Sequence, residues 1–305
     1  MMTRRILGKV MVSAALLLAL AGPKPALAAD TRPKVVATFT IIGDLVEAVG
    51  GDAVSVTTLV GPDGDAHVFE PKPSDVAAVA KADLIVANGL GMEPWLERLT
   101  EAADFQGKTL VASAEVTPLP FKEEADSSGK MPDDPHAFQD LANGRRYVKT
   151  IAAALEALAP NQADAIAARA AKLDGEMAAL DQEIKAKLGA LPATNRRILT
   201  SHDAFHYFGK AYGLDIQSIQ GVSTETEPSA ADLGEIARQA KSGQVKAIFL
   251  ENMSNPTLAK TISTESGVPV GGELVADALT APGGLAPHYL DMFKYNLSEL
   301  LKVLQ

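Results

Sequence analysis

From Gln162 to Leu188 the chain contains no proline and is dominated by Ala, Glu, Lys and Leu. Within it, Ala165, Ala168, Leu173, Met177, Leu180, Ile184 and Leu188 recur at roughly helical spacing. The segment predicts a single helix. At about 1.5 Å per residue it spans about 40 Å, the length of a whole domain. Gly189 and Pro192 end it. A rod of that length divides the chain, so the segments on its N-terminal and C-terminal sides are read as two halves.

Each half alternates strands and helices. In the first, Lys34–Phe39, Val54–Val60, Leu84–Ala87 and Thr109–Ala112 read as strands. Helices are predicted over Ile42–Val49, from a Ser74 N-cap to Lys81, over Glu93–Ala103 and over Tyr147–Leu158. In the second, strands are predicted at Arg197–Thr200, Ile216–Ile219, Ala247–Leu250 and Val268–Val270. Helices are predicted from His202 toward Gly213, over Ala231–Lys241 and Pro256–Ser266, and from Pro287 to Val303. Such alternation predicts parallel sheets with helices on both faces. The fold class is α/β, with two lobes, each a mostly parallel sheet flanked by helices, joined by one long α-helix. The divisions are a leader at 1–28, an N-terminal lobe at 29–160, the linking helix at 161–190 and a C-terminal lobe at 191–305.

The leader has a positive start at Arg4, Arg5 and Lys9, an apolar run from Val10 to Ala21, and a small-x-small site at Ala26-Leu27-Ala28. This is the pattern of a secretory signal peptide cleaved after Ala28. Arg4-Arg5 fits the twin-arginine route loosely. There is no cysteine in the chain. A cysteine after the apolar run would mark a lipoprotein, so a protein free in the periplasm, without a lipid anchor, is expected. The net charge of -10, with no basic stripe, argues against a nucleic-acid partner.

The chain has only five histidines, and three of them are predicted just beyond strands: His67, His136 and His202. Asp277 has the same kind of position in the last strand-loop. Open α/β sheets place ligand groups at the carboxyl ends of their strands. If the halves face each other, three imidazole nitrogens and one carboxylate meet, a set suited to tetrahedral zinc. A single loop histidine is more often a surface residue; the coincidence of positions is what favours a shared site. His202 and His206 have the spacing of a zinc-protease helix, but Asp203 follows His202 where such a site needs Glu.

Gly61-Pro62-Asp63-Gly64-Asp65-Ala66-His67, Asp134-Pro135-His136-Ala137-Phe138, His202-Asp203-Ala204-Phe205-His206 and Tyr289-Leu290-Asp291-Met292-Phe293 resemble motifs of the zinc and manganese solute-binding proteins of ABC transporters, in that family's order. The resemblance covers nearly all of the chain after the leader. It implies two α/β lobes joined by one long helix, with a metal between them. It implies metal ligation by His67, His136, His202 and Asp277. The chain departs from the family at Ala66, where proline is usual, and at Phe138, where tryptophan is common. The acidic segment Lys122–Lys130 stands where many zinc members carry a histidine-rich loop. Manganese-selective members tend to carry a carboxylate where His202 stands, and nitrogen ligands favour zinc over manganese.

These readings predict a receptor, not an enzyme. It captures Zn2+ (Mn2+ as the alternative) as a monomer and delivers it to a membrane permease with its ATPase. A zinc hydrolase needs an open coordination position and a general base, and four protein ligands and no Glu beside a ligand histidine oppose that. An adhesin is opposed by the missing lipid anchor. His206 is expected to serve packing or the surface, and His288 to be solvated. Glu251, Glu225 and Glu227 are candidate orienting acids. With an ordinary imidazole pKa of about 6.5, affinity is expected to be flat above neutrality and to fall as pH drops through about 6.

Overall fold

The computed structural model describes residues 30–121, 131–221, 224 and 228–305. The leader with its twin-arginine pair, the Lys122–Lys130 segment, Glu225 and Glu227 lie outside these residues. Everything from Arg32 to Gln305 belongs to one compact unit.

In the first half, β1 (Lys34–Phe39), β2 (Ser55–Val60), β3 (Leu84–Ala87) and β4 (Lys108–Val111) form an all-parallel sheet in the order β2-β1-β3-β4. Around it run α1 (Thr40–Gly50), α2 (Pro73–Val79), α3 (Leu96–Ala102) and α4 (Leu141–Leu158). The rod, α5 (Ala163–Gly189), is a helix of 27 residues. In the second half, β5 (Arg197–Thr200), β6 (Asp215–Ser218), β7 (Ile248–Glu251) and β8 (Val270–Leu274) form a parallel sheet in the order β6-β5-β7-β8. With it go α6 (His206–Tyr212), α7 (Ala230–Gln239), α8 (Thr257–Ser266) and α9 (Tyr289–Leu304).

The two sheets share one strand order. In each, the first strand sits inside, and the chain steps to one side and then to the other. Such a reversal, beyond the carboxyl ends of β1 and β3 and of β5 and β7, is where open α/β sheets bind ligands. The strands at these positions are buried on both faces, as parallel sheets demand. Val35, Val36, Ala37 and Phe39 of β1, Leu84 to Ala87 of β3 and Ile198 to Thr200 of β5 are all buried. Helix α5 packs against α1 and α4 of the first half and α6 and α9 of the second. Its buried residues Ile166, Ala170, Met177, Leu180, Ile184 and Leu188 form the stripe that makes those contacts possible.

Several boundaries differ from the expectation, each for a local reason. Pro73 takes the first position of α2 and Lys72 its N-cap, so Ser74 caps nothing; the Asp75 carboxylate accepts from the Lys72 backbone N–H at 2.7 Å. Helix α3 starts at Leu96, not Glu93, because Glu93 turns inward. Helix α4 starts at Leu141, six residues before the apolar run at Tyr147, since the Asp140 carboxylate caps the Ala142 N–H at 2.8 Å. Helix α6 begins at His206, so His202 lies in the preceding bend and the two histidines do not share a helix. His136 is not directly beyond a strand. It ends a long excursion after β4, closed by the antiparallel bridge between Pro120 and Asp133.

Candidate metal centre

Four side chains converge in one buried cluster. His67 lies beyond β2, His136 before the short 3-10 turn Ala137–Gln139, His202 beyond β5 and Asp277 beyond β8. One donor atom from each lies within 4.8 Å of every other. Asp277 is the hub: its Oδ2 is 2.8 Å from His202 Nε2 and 3.4 Å from the Nε2 of both His67 and His136. The His67 and His136 Nε2 atoms are 3.2 Å apart. His136, His202 and Asp277 are fully buried, and His67 retains 7% exposure.

The far sides of two rings are held by carboxylates. Asp134 Oδ1 accepts from both the backbone N–H and Nδ1 of His136, each at 2.9 Å. Glu251, at the end of β7, accepts from the His202 backbone N–H at 3.1 Å and makes a short contact to His202 Nδ1. An acceptor on Nδ1 puts the proton there, fixes the tautomer and leaves Nε2 as the donor to a metal. Of the three candidate orienting acids, Glu251 is the one the described residues place against a ring of the cluster.

The charges follow from this geometry. Burial works against an imidazolium at His136, but Asp277 and Asp134 outweigh it and raise its pKa to about 9. His202 is raised in the same way: burial opposes, and the Glu251 and Asp277 charges prevail. Burial pushes Asp277 up, yet the charges of His136 and His202 hold it well below the usual carboxylate range. Asp134 is likewise opposed by burial but lowered to about 2 by the hydrogen bond from His136 and by the nearby His206 imidazole. The shifts run against ordinary imidazoles: His136 is raised by Asp277 and Asp134, and His202 by Glu251 and Asp277.

Some contributors are not legible in the sequence. Trp95 is buried and its Nε1–H donates to the Ala66 carbonyl at 2.7 Å, pinning the residue before His67. Glu93 accepts from Thr38 Oγ1 and the Asn88 N–H at 2.7 Å each, and from the Gly89 N–H at 3.1 Å, tying β1 to the end of β3. A lone tryptophan in an acidic, alanine-rich chain is the one available signal. His206 does not stand apart from the site: its Nδ1 is 3.4 Å from Asp134 Oδ2, with the side chain 40% exposed. His288 is exposed as expected, bonded through Nδ1 to Asp44 at 2.7 Å.

The buried cluster of three imidazoles and one carboxylate draws its side chains from segments beside both sheets. Residues 35–303 match the family of zinc-uptake complex component A periplasmic proteins, and the chain belongs to that family. It is 34% identical over 265 residues to the manganese-binding lipoprotein MntA of Halalkalibacterium halodurans, covering 87% of this chain and 86% of that protein. It is 31% identical over 294 residues to the manganese ABC transporter substrate-binding lipoprotein PsaA of Streptococcus mitis, covering 95% of this chain and 94% of that protein. The periplasmic zinc-binding protein TroA of Treponema pallidum has the same fold, with a TM-score of 0.82 at 29% identity over 90% of this chain and 99% of that one. Receptors of this kind are not enzymes; they hand a metal ion to a permease driven by an ATPase.

One expectation is corrected by these relatives. Two of them are named lipoproteins, which contradicts a receptor free of any lipid anchor. The missing cysteine removes one attachment chemistry; it does not amount to freedom from the membrane. The ground for opposing an adhesin falls with it.

Proposed function

We propose that His67, His136, His202 and Asp277 hold one divalent transition-metal ion as cargo, and that the ion is manganese or another first-row divalent metal rather than zinc alone. The observation that carries the ligand set is Asp277. Its Oδ2 faces all three Nε2 atoms, and its buried Oδ1 has no hydrogen-bond partner among the described residues. A buried carboxylate oxygen without a donor is costly, and a cation relieves that cost. We assign residues 29–160 and 191–305 as the two lobes about the 161–190 helix, so that each lobe supplies two ligands.

Manganese is supported by the names of the two relatives above. Zinc is the second reading, supported by the three-nitrogen donor set, by the family description and by TroA. Affinity alone does not separate them, because nitrogen and oxygen sites bind zinc more tightly than manganese almost regardless of function. The decisive measurement is the metal content of cells lacking this receptor, grown with manganese or zinc limiting. A fall in cellular manganese supports the first reading; a fall in zinc alone replaces it with the second. Native mass spectrometry of the purified chain is expected to show one ion, lost in His202→Ala; two ions held equally well would break the four-ligand assignment.

A further inference from the structure

We propose that Asn252 is a positioning residue that couples the His67 loop to the Asp277 loop and thereby sets how fast the bound ion leaves. The proposal rests on the four-ligand reading above.

Asn252 follows Glu251, the residue that holds His202. Its backbone N–H donates to the Leu274 carbonyl at 3.1 Å, continuing the pairing of β7 with β8. Its side chain then straddles the ligand. Oδ1 accepts from the Ala276 N–H at 3.2 Å, and Nδ2 donates to the Ala278 carbonyl at 2.9 Å. The amide thus grips the residue on each side of Asp277. Nδ2 also donates to Asp63 Oδ1 at 2.7 Å, and Asp63 belongs to the loop that carries His67.

Two further contacts bind the same loop to the second half of the chain. The Asp63 N–H donates to the Leu279 carbonyl at 3.1 Å. Asp65 receives the Thr224 hydroxyl on one oxygen, and on the other it receives the N–H of His67 itself at 2.8 Å. His67 is also the one proposed ligand with residual exposure, 7% against 0% for the other three. For an ion to leave, His67 and Asp277 must part. The Asn252 amide bonds both of their loops at once. Glycine and alanine offer no such bond, and a carboxylate at 252 would meet Asp63 with like charge.

Asp63 has a positive φ of 55°, a conformation that Asn and Gly accept readily. The partner can therefore be changed without straining the loop. The test uses the full chain loaded with zinc and mixed with an excess of a chelating dye, so that the release rate is read directly. Asn252→Asp is expected to release zinc about tenfold faster, through loss of the donor and repulsion from Asp63. Adding Asp63→Asn restores a donor–acceptor pair in the opposite sense and is expected to slow release again by about threefold or more. The melting temperature of the metal-free protein is followed in parallel, because a merely structural role would lower it without the swap restoring the release rate.

An Asn252→Asp release rate within about twofold of the parent, or a double variant no slower than Asn252→Asp, overturns the proposal. Should Asn252→Asp not fold, Asp63→Gly removes the cross-loop acceptor alone; release then has to accelerate, and an unchanged rate overturns the proposal equally. His67→Ala is run beside these variants. If it does not release zinc faster than the parent, the four-ligand reading fails and this proposal fails with it, a result distinct from a silent Asn252.

Discussion

Glu251 grips His202 from behind while Asp277 faces it from the front: the one takes the ring through Nδ1, the other lies 2.8 Å from Nε2. All three side chains are fully buried. Both ring nitrogens are engaged, and Nε2 faces the same Asp277 oxygen as the Nε2 atoms of His67 and His136. Removing an orienting carboxylate of this kind costs roughly 10–100-fold in metal affinity. Glu251→Gln retains an acceptor but loses the charge, so it is expected to fall between the parent and Glu251→Ala in a competition titration. Equal affinities for all three would show that the ring is fixed by packing alone.

The His67 side of the site depends on Trp95. The indole N–H is the donor to the Ala66 carbonyl, and the ring stacks edge-on against Phe69 at 4.9 Å between centroids. Trp95→Phe keeps most of the apolar contact and deletes the donor. Leaving a buried carbonyl unsatisfied costs about 1–3 kcal/mol. We expect the metal-free chain to lose about that much stability in denaturant titration, with a weaker hold on the ion because the residue next to His67 is released. Full stability in Trp95→Phe would mean that water replaces the lost donor.

The parts of the architecture that are legible in the sequence are those with a strong period or a strong stop. The rod from Ala163 to Gly189 and the buried strands around Val35, Ile85 and Leu199 follow from apolar patterning, which is a local property. Helix starts that depend on a side chain reaching its own backbone, such as Asp140 at α4, fall elsewhere than expected because a cap is one residue and no periodicity marks it. The four candidate ligands are legible because histidine is scarce in this chain and each falls beside a strand end or within a shared motif. Apart from Trp95 being the chain's one tryptophan, nothing in the sequence marks the roles of Asp134, Trp95 and Asn252. Each acts by bonding to a residue that the folded chain brings near, and Asn, Asp and Trp in loops carry no distinctive spacing of their own.

His206 tests how far the orienting network extends. It contacts Asp134, which holds His136, and so reaches a candidate ligand through one intermediary. Its pKa is raised chiefly by the Asp134 carboxylate 3.4 Å away. His206→Gln keeps a donor and is expected to leave affinity near the parent value. His206→Ala removes the imidazole beside Asp134 Oδ2 and is expected to weaken binding by roughly threefold, about the worth of one partly exposed ion pair. A loss as large as that of His202→Ala would place His206 among the ligands.

The pH dependence follows from the direction of the shifts. His136 is raised to about 9 and His202 is raised as well, so the metal-free site holds protons at neutrality that an incoming ion must displace. Apparent affinity should therefore keep rising from pH 6.5 toward about 9, where ordinary imidazoles of pKa about 6.5 would already have levelled off. The metal-free protein should behave oppositely. A group whose pKa is raised on folding stabilises the folded state fully below its unfolded value, and that contribution is lost as pH climbs through the folded value. For His136 the window runs from about 6.5 up to about 9. Asp277, lowered on folding, adds stability above about 3.8 that is lost only as pH falls further. Metal-free chain should thus melt at its highest temperature between about pH 4 and 6.5 and become less stable toward pH 9, while the stabilisation conferred by metal grows over the same interval. Thermal melts with and without metal across that range check both halves. A metal-free melting temperature that does not fall between pH 6.5 and 9 would mean that Asp277 and Asp134 do not hold protons on these rings, and that the network around the site is not the charged one described.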